Sequence, residues 1–546
     1  MAKLFIFGIG GTGARVLRSL NMVLAANAGN LGDTTIVPLI IDYDVENGDK
    51  DRTLTLMSDY ASLNKGIYEG TTYQGDVRPD GFFATPMKTM QEVSTDEGEH
   101  TSTFAFRYNP PVSEKTYSES IGFRALSGEN QITQFLLETL YNETTNQEFA
   151  ELHIDTTVGF RGNPNIGSVL LSDIKQTPEF KDFITLCNGD NGDRAVVIGS
   201  LFGGTGASGI PVLVNAIKTD DRPRINRTRV ATILVGPYFK IGQPDEKTRN
   251  EGVIDDKIFE SKTKAALYFY EDSLNQDIDA IYYFGDTKKN QVEHNIGKEA
   301  QKNNAHVVEL VAAMAVAHFN SLEEGVFNER ENDGVTRRNH WKYGFSKDIL
   351  EQNILDFSMF AKETYADLRK MCAYALSGKA LAEYLEKGKD NSSNSAFFKL
   401  SGFNKSENQK NANQKKFIAV YTEFMNFFEK FKKWASELEN GSDHKLSNFN
   451  FEAKELCDIL GSHPFRHPEK KLKYVGKEEM KPNFDINDLI TKFNETYAKH
   501  MKEGSSEELK PEQTLQYAFF EGLYQACNFI IDKNSIFDKL QQENAQ

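Results

Sequence analysis

Residues 195–218 read AVVIGSLFGGTGASGIPVLVNAIK, an apolar strand that runs into Gly203-Gly204-Thr205-Gly206-Ala207-Ser208-Gly209 and then into an apolar helix. Glycine lets the backbone turn sharply off the strand and come close to a bound group. The first turn of the helix then presents unpaired N–H groups and a positive dipole end, which suit an anion. The N-terminus repeats the pattern. In FIFGIGGTGARVLRSL, residues 5–20, a strand meets Gly8-x-Gly10-x-x-Gly13 and opens a second helix. Taken singly, such a loop serves equally as a phosphate cradle, a dinucleotide fingerprint or a packing turn. Two of them in one sheet require a ligand with more phosphate than a dinucleotide bridge, because a dehydrogenase needs only one.

Around these loops the first half of the chain alternates strand and helix signals. Strands at 4–7 and 35–41 flank a helix at 14–26, a βαβ unit that implies a parallel sheet. Residues 45–115 are less regular and read as an elaborated connection over one sheet edge. The alternation then returns: SVLLSDI, RAVVIGSLF and DAIYYFG read as strands, ENQITQFLLETLYNE and DKIFESKTKAALYFYEDSL as helices. NNAHVVELVAAMAVAHFN, residues 303–320, is apolar round most of its circumference and reads as a helix buried between layers. From about residue 360 the signals are almost wholly helical. The sequence thus predicts an α/β fold: a Rossmann-type parallel sheet flanked by helices, a central connecting helix and a largely helical C-terminal region. The expected divisions are 1–302, 303–320, a linker at 321–360, and 361–546.

Composition limits the function. The formal net charge of −16 repels phosphodiester backbones, so nucleic acid is a poor main partner. Four widely spaced cysteines without CxxC pairing point to a reducing compartment, the cytoplasm, and away from a zinc ribbon. The most apolar long run, 307–319, is too short to span a bilayer, so membrane insertion is not expected. No G-x-S-x-G elbow, H-E-x-x-H helix or Walker lysine loop occurs.

The second strand ends in LIIDYDVEN, residues 39–47, which sets Asp42 and Asp44 beside the first loop. Asp42 lies 29 residues after Gly13, later than the usual ribose-binding acid of a dinucleotide site. Paired acids beside a phosphate loop suit a hydrated Mg²⁺, and are equally ordinary as solvated residues at a strand end.

GGTGASGIP resembles the signature loop of the tubulin/FtsZ superfamily, and the flanking strand and the later RVATILVGPYF follow the same order. Phe202 stands where a small residue is usual and Ser208 where the last glycine is usual, so the likeness is to a divergent bacterial member. The resemblance implies that Gly10, Gly11, Thr12, Gly13, Gly203, Gly204, Thr205, Gly206 and Ala207 hold phosphate. Asp42 and Asp44 would hold Mg²⁺ through water. GFRALSG, residues 122–128, would sense the terminal phosphate, with Arg124 and Ala125 at its centre. Asn304, His306 and Glu309, at the start of the central helix, would read guanine; His306 and Glu309 are equally suited to capping or flanking that helix. In GVFNERENDG, Asn328 and Asp333 are in step with the residues that complete hydrolysis, and Arg330 occupies the place of one acid.

What the resemblance implies is a protein that binds GTP with Mg²⁺ and self-assembles into filaments or oligomers, a weak GTPase activated by assembly. Two alternatives remain open at this stage. One is a non-polymerising GTP-loaded switch or scaffold whose helical region binds a protein partner; the other is an NAD(P)-dependent enzyme.

Overall fold

The protein is described from a computed structural model. The described residues fall within 2–70, 80–106, 116–121, 131–141, 152–242, 259–292, 299–344, 365–380, 401–440, 472–480 and 486–533. The apolar runs become strands β1 (Lys3–Ile9), β2 (Thr35–Ile41), β3 (Arg194–Ser200), β4 (Arg229–Val235) and β5 (Ala280–Phe284), with a short edge strand β6 (Trp341–Gly344). All pair in parallel, in the order β2-β1-β3-β4-β5-β6.

Parallel strands need crossovers, and the helices that supply them cover both faces. The longer helices are α1 (Gly10–Ala25), α2 (Gly48–Tyr68), α3 (Gln131–Tyr141), α4 (Pro164–Leu171), α5 (Pro178–Leu186), α6 (Gly204–Lys218), α7 (Phe259–Ser273), α8 (Val307–Ser321), α9 (Tyr365–Ala380), α10 (Ala412–Asn440), α11 (Ile486–Ala498) and α12 (Leu515–Lys533). Alternate residues of β1 point to opposite sides. Leu4 and Ile6 join a core with α1, α8 and the C-terminal helices, whereas Phe5, Phe7 and Ile9 join a second core with α4, α5 and α6.

The C-terminal helices belong to the first of these cores. On α10, Phe417, Phe424, Phe431 and Leu438 recur every seven residues, with Tyr421, Phe428 and Ala435 filling the intervening turns, so one stripe of the helix is buried. That stripe packs against α2, α9 and α12. Trp434 is fully buried, and its indole N–H donates to the Ser19 hydroxyl of α1 at 3.2 Å.

Two local readings of the sequence are corrected. SVLLSDI, read as a strand, is the end of α4 followed by a 3₁₀ turn at Ser172–Gln176. A seven-residue run with four apolar positions is too short to fix a helical period, and Pro164, whose fixed φ suits a first helical turn, lies upstream of the quoted run. The irregular connection at 45–115 contains the 21-residue helix α2, capped by the Asn47 side chain. Its buried residues Thr53, Leu56, Met57, Tyr60, Leu63 and Ile67 do recur at helical spacing, but polar residues dilute the signal. Downstream, Met87 and Ala105 bridge Ile36 and Ile40 of β2, so that part of the segment does follow the sheet edge. Among the described residues, no helix is long and apolar enough to cross a membrane.

Because Trp434 joins α10 to the sheet-covering helix α1, Trp434→Ala should destabilise the sheet as well as the helical part, by about 3–5 kcal/mol. Urea unfolding followed by far-UV dichroism and by a fluorophore on the sheet checks this. Loss of α10 at lower urea, with the sheet signal unmoved, would contradict the shared core.

Candidate functional site

β1 and β3 are neighbours, and their helices leave on opposite faces, α1 to the first core and α6 to the second. A crevice must open between the two exits, at the carboxyl ends of the strands, which is where open α/β sheets bind ligands. The glycine loops meet there. Gly10 has φ +69°, and a Cβ on it would lie 3.3 Å from the Thr205 Cβ. Behind them, a Cβ on Gly13 would strike the Gly8 carbonyl carbon at 2.5 Å, and one on Gly206 would lie 2.7 Å from the backbone N and O of Ser200. Gly13 and Gly206 therefore each seat a helix on the strand before it.

Gly10, Gly11, Thr12, Gly203, Gly204, Thr205 and Gly206 line one open cleft together with Asp42 and Asp44. Neither α1 nor α6 has a side-chain N-cap or an acidic residue in its first turn, whereas α2 and α8 are capped by Asn47 and His306. The two uncapped dipole ends face the cleft, an arrangement that favours an anion. Ala207 stands behind the loop. Pro211 has no N–H to offer its carbonyl, and the Tyr270 hydroxyl donates to it instead at 2.6 Å.

On the third side, the carboxyl of Asp42 is buried, accepting from the Asp44 N–H and from the Asn47 side-chain amide, each at 3.1 Å. Burial pushes its pKa up to about 7; Lys50 opposes this and the neighbouring Asp44 charge adds to it. No group of three His, Cys, Asp or Glu able to hold a metal occurs among the described residues. Two carboxylates do fit Mg²⁺, which keeps most of its waters and completes its shell with ligand phosphate, and do not fit a protein-caged zinc.

Apart from Asn303, at the end of the central helix expected to read guanine, the remaining walls come from residues that the sequence reading had not assigned to the site. Phe160, Phe202, Phe239, Ile241, Phe259 and Val292 supply apolar surface. Phe202 packs into this wall, its ring centroid 4.7 Å from that of Phe259 and edge-on to Phe239 at 5.5 Å, which explains a large residue at that position. Asn47, Gln301 and Asn303 add side-chain amides. At the floor, buried Arg15 donates to Asp49 (2.9 Å), Glu309 (2.7 Å), Tyr238 (2.7 Å) and the Thr12 hydroxyl (3.1 Å).

His306 and Glu309 do not line the cleft. α8 starts at Val307, so His306 is its N-cap, accepting from the Val308 N–H, and Glu309 closes a capping box onto the His306 N–H at 3.1 Å. The other Glu309 oxygen accepts from Arg15 and, at 2.6 Å, from the Tyr238 hydroxyl. The capping alternative is the one the geometry contains. Asn304 is exposed outside the cleft, and its neighbour Asn303 lines it. Arg124, Ala125, Asn328 and Asp333 lie outside the described residues. No protein-family model matches the chain, and no curated protein matches it.

The buried Asp42 gives the metal-free protein a signed pH dependence. Its folded pKa of about 7 exceeds the ordinary 3.8, so the folded state binds more protons between those values and stability falls as pH rises through them. The loss should reach roughly 4 kcal/mol at most. With a chelator present, melting measured from pH 5 to 8 should show this decline in the parent protein and a flatter profile in Asp42→Asn. Parallel profiles would remove Asp42 as the cause.

Proposed function

We propose that the chain binds a nucleoside triphosphate with Mg²⁺ in the β1–β3 crevice, GTP being the nucleotide that the loop resemblance favours. One observation carries this reading: two glycine loops touch at Gly10 and Thr205, with Asp42 and Asp44 beside them. Backbone amides of the loops would hold the phosphates in place of a Walker lysine. Asp42 and Asp44 would hold Mg²⁺ through its waters, which supplies charge neutralisation at the phosphates. Base selection would rest on the amides of Asn303, Gln301 and Asn47, each offering donors and an acceptor, with the aromatic wall against the ring.

The tubulin/FtsZ likeness extends the proposal to self-assembly into filaments or oligomers, with slow hydrolysis completed by Asn328 and Asp333 at a subunit contact. Nucleotide held at such a contact binds the assembled form better and shifts the population toward it. A second reading, a GTP-loaded switch that stays monomeric and acts on a protein partner, is favoured by the chain of buried and partly buried ion pairs that joins Arg15 and Asp49 to Arg52 and then to Glu437 of α10.

Thr205→Arg fills the meeting point of the loops and should weaken GTP binding by at least about a hundredfold, or about 2.7 kcal/mol. Retained affinity would refute this location of the site. For assembly, light scattering and negative-stain imaging with GTP and Mg²⁺ should show nucleotide-dependent polymers, with phosphate release lagging behind. Tight GTP binding to a persistent monomer would sink the assembly reading and select the switch, and co-purified NAD without guanine nucleotide would overturn both.

A further inference from the structure

Although α10 lies far along the chain from the glycine loops, its C-terminal end reaches the cleft wall. Glu437 is buried, and its Oε2 accepts from Arg18 at 2.6 Å and from the Ala305 backbone N–H at 3.0 Å. Its Oε1 lies 3.9 Å from Arg52, which also pairs with Asp49 at 2.5 Å and donates to the Asn303 carbonyl. Asn303 and Ala305 belong to the segment ahead of α8, whose Gln301 and Asn303 line the cleft. One carboxylate therefore ties α10 to α1, to α2 and to the wall that faces the ligand.

Arg18 and Glu437 are buried and Arg52 partly so, and in such a cluster a lost partner leaves a poorly solvated charge or an unpaired N–H. With α10 unseated, Arg18 and Arg52 lose a counter-ion, and the 301–306 segment loses its anchor at Ala305. We infer that Glu437 is a positioning residue through which the seating of α10 and the occupancy of the cleft are coupled. Nucleotide binds more tightly when α10 is seated, and by reciprocity bound nucleotide holds α10 more firmly. A protein partner that draws α10 away lowers nucleotide affinity by the same factor. This inference rests on the nucleotide reading of the cleft.

The test titrates GTP with Mg²⁺ by calorimetry into the full-length parent, Glu437→Ala and Glu437→Gln, with Thr205→Arg as the cleft control. Glu437→Ala should weaken binding on the order of 5- to 150-fold. Glu437→Gln should fall between it and the parent, since its amide oxygen still accepts from Ala305. In the parent, GTP with Mg²⁺ should slow hydrogen exchange across 412–440. A purely structural Glu437 would lower the melting temperature yet leave both affinity and the exchange response unchanged, and that result overturns the coupling. Should Glu437→Ala not fold, the glutamine variant and the parent's exchange decide. A parent that binds no nucleotide overturns the nucleotide reading, and the coupling falls with it; a parent that binds alongside Glu437 variants of equal affinity overturns the coupling alone.

Discussion

Gly10 and Thr205 meet because β1 and β3 are paired strands whose following helices leave the sheet on opposite faces. That divergence opens the crevice, and strand register sets what stands around it. Gly8 of β1 is level with Ile198 of β3, and Ile9 is level with Ile41 of β2. Asp42 therefore emerges directly after the residue beside Ile9, at the height of the first loop. In a parallel sheet every strand ends on the same edge, so loops and acids converge without any long connection having to bring them there. A slip of one residue between β1 and β2 would turn the apolar faces of β2 over and is strongly resisted by the two cores.

The charges beneath the cleft divide into two kinds. Asp49, Glu309 and Glu437 each pair with an arginine of α1 or α2, so that burial is offset by opposite charge. Among the described residues Asp42 has no such partner at hydrogen-bond distance; its donors are a backbone N–H and an amide, and burial raises its pKa. The paired acids are thus explained by the fold alone. Asp42 carries an electrostatic cost that the fold leaves standing and that a cation would relieve.

Much of the cleft was legible in the sequence because its phosphate-facing parts follow strands directly. Gly10 to Thr12, Gly203 to Gly206, Asp42 and Asp44 stand within a few residues of a strand end, where local pattern and chemistry coincide. The apolar wall was not legible, since Phe160, Phe239, Phe259 and Val292 come from four separated segments that only tertiary packing brings together. Arg15 was passed over because a charged residue near the start of a helix looks solvated until its partners Asp49 and Glu309, 34 and 294 residues away, are known. For Glu309 and His306 the residue types permitted two roles. Only the helix start at Val307 separates them, since one residue of register turns a base reader into a cap.

Phe202, a large residue on the approach to the second glycine loop, has a packing role. Its ring, with Tyr238, Phe239 and Phe259, forms a cluster on one side of the cleft. Tyr238 belongs to that cluster through its ring and to the charged floor through its hydroxyl, which accepts from Arg15 and donates to Glu309. The apolar wall and the ion-pair chain are consequently in contact, since the Tyr238 ring cannot shift without straining its hydroxyl's bonds to Arg15 and Glu309. Arg15 in turn shares Asp49 with Arg52, and Arg52 leads to Glu437. The shape of the cleft and the seating of α10 are for this reason not independent, and a ligand that presses on the wall acts on both.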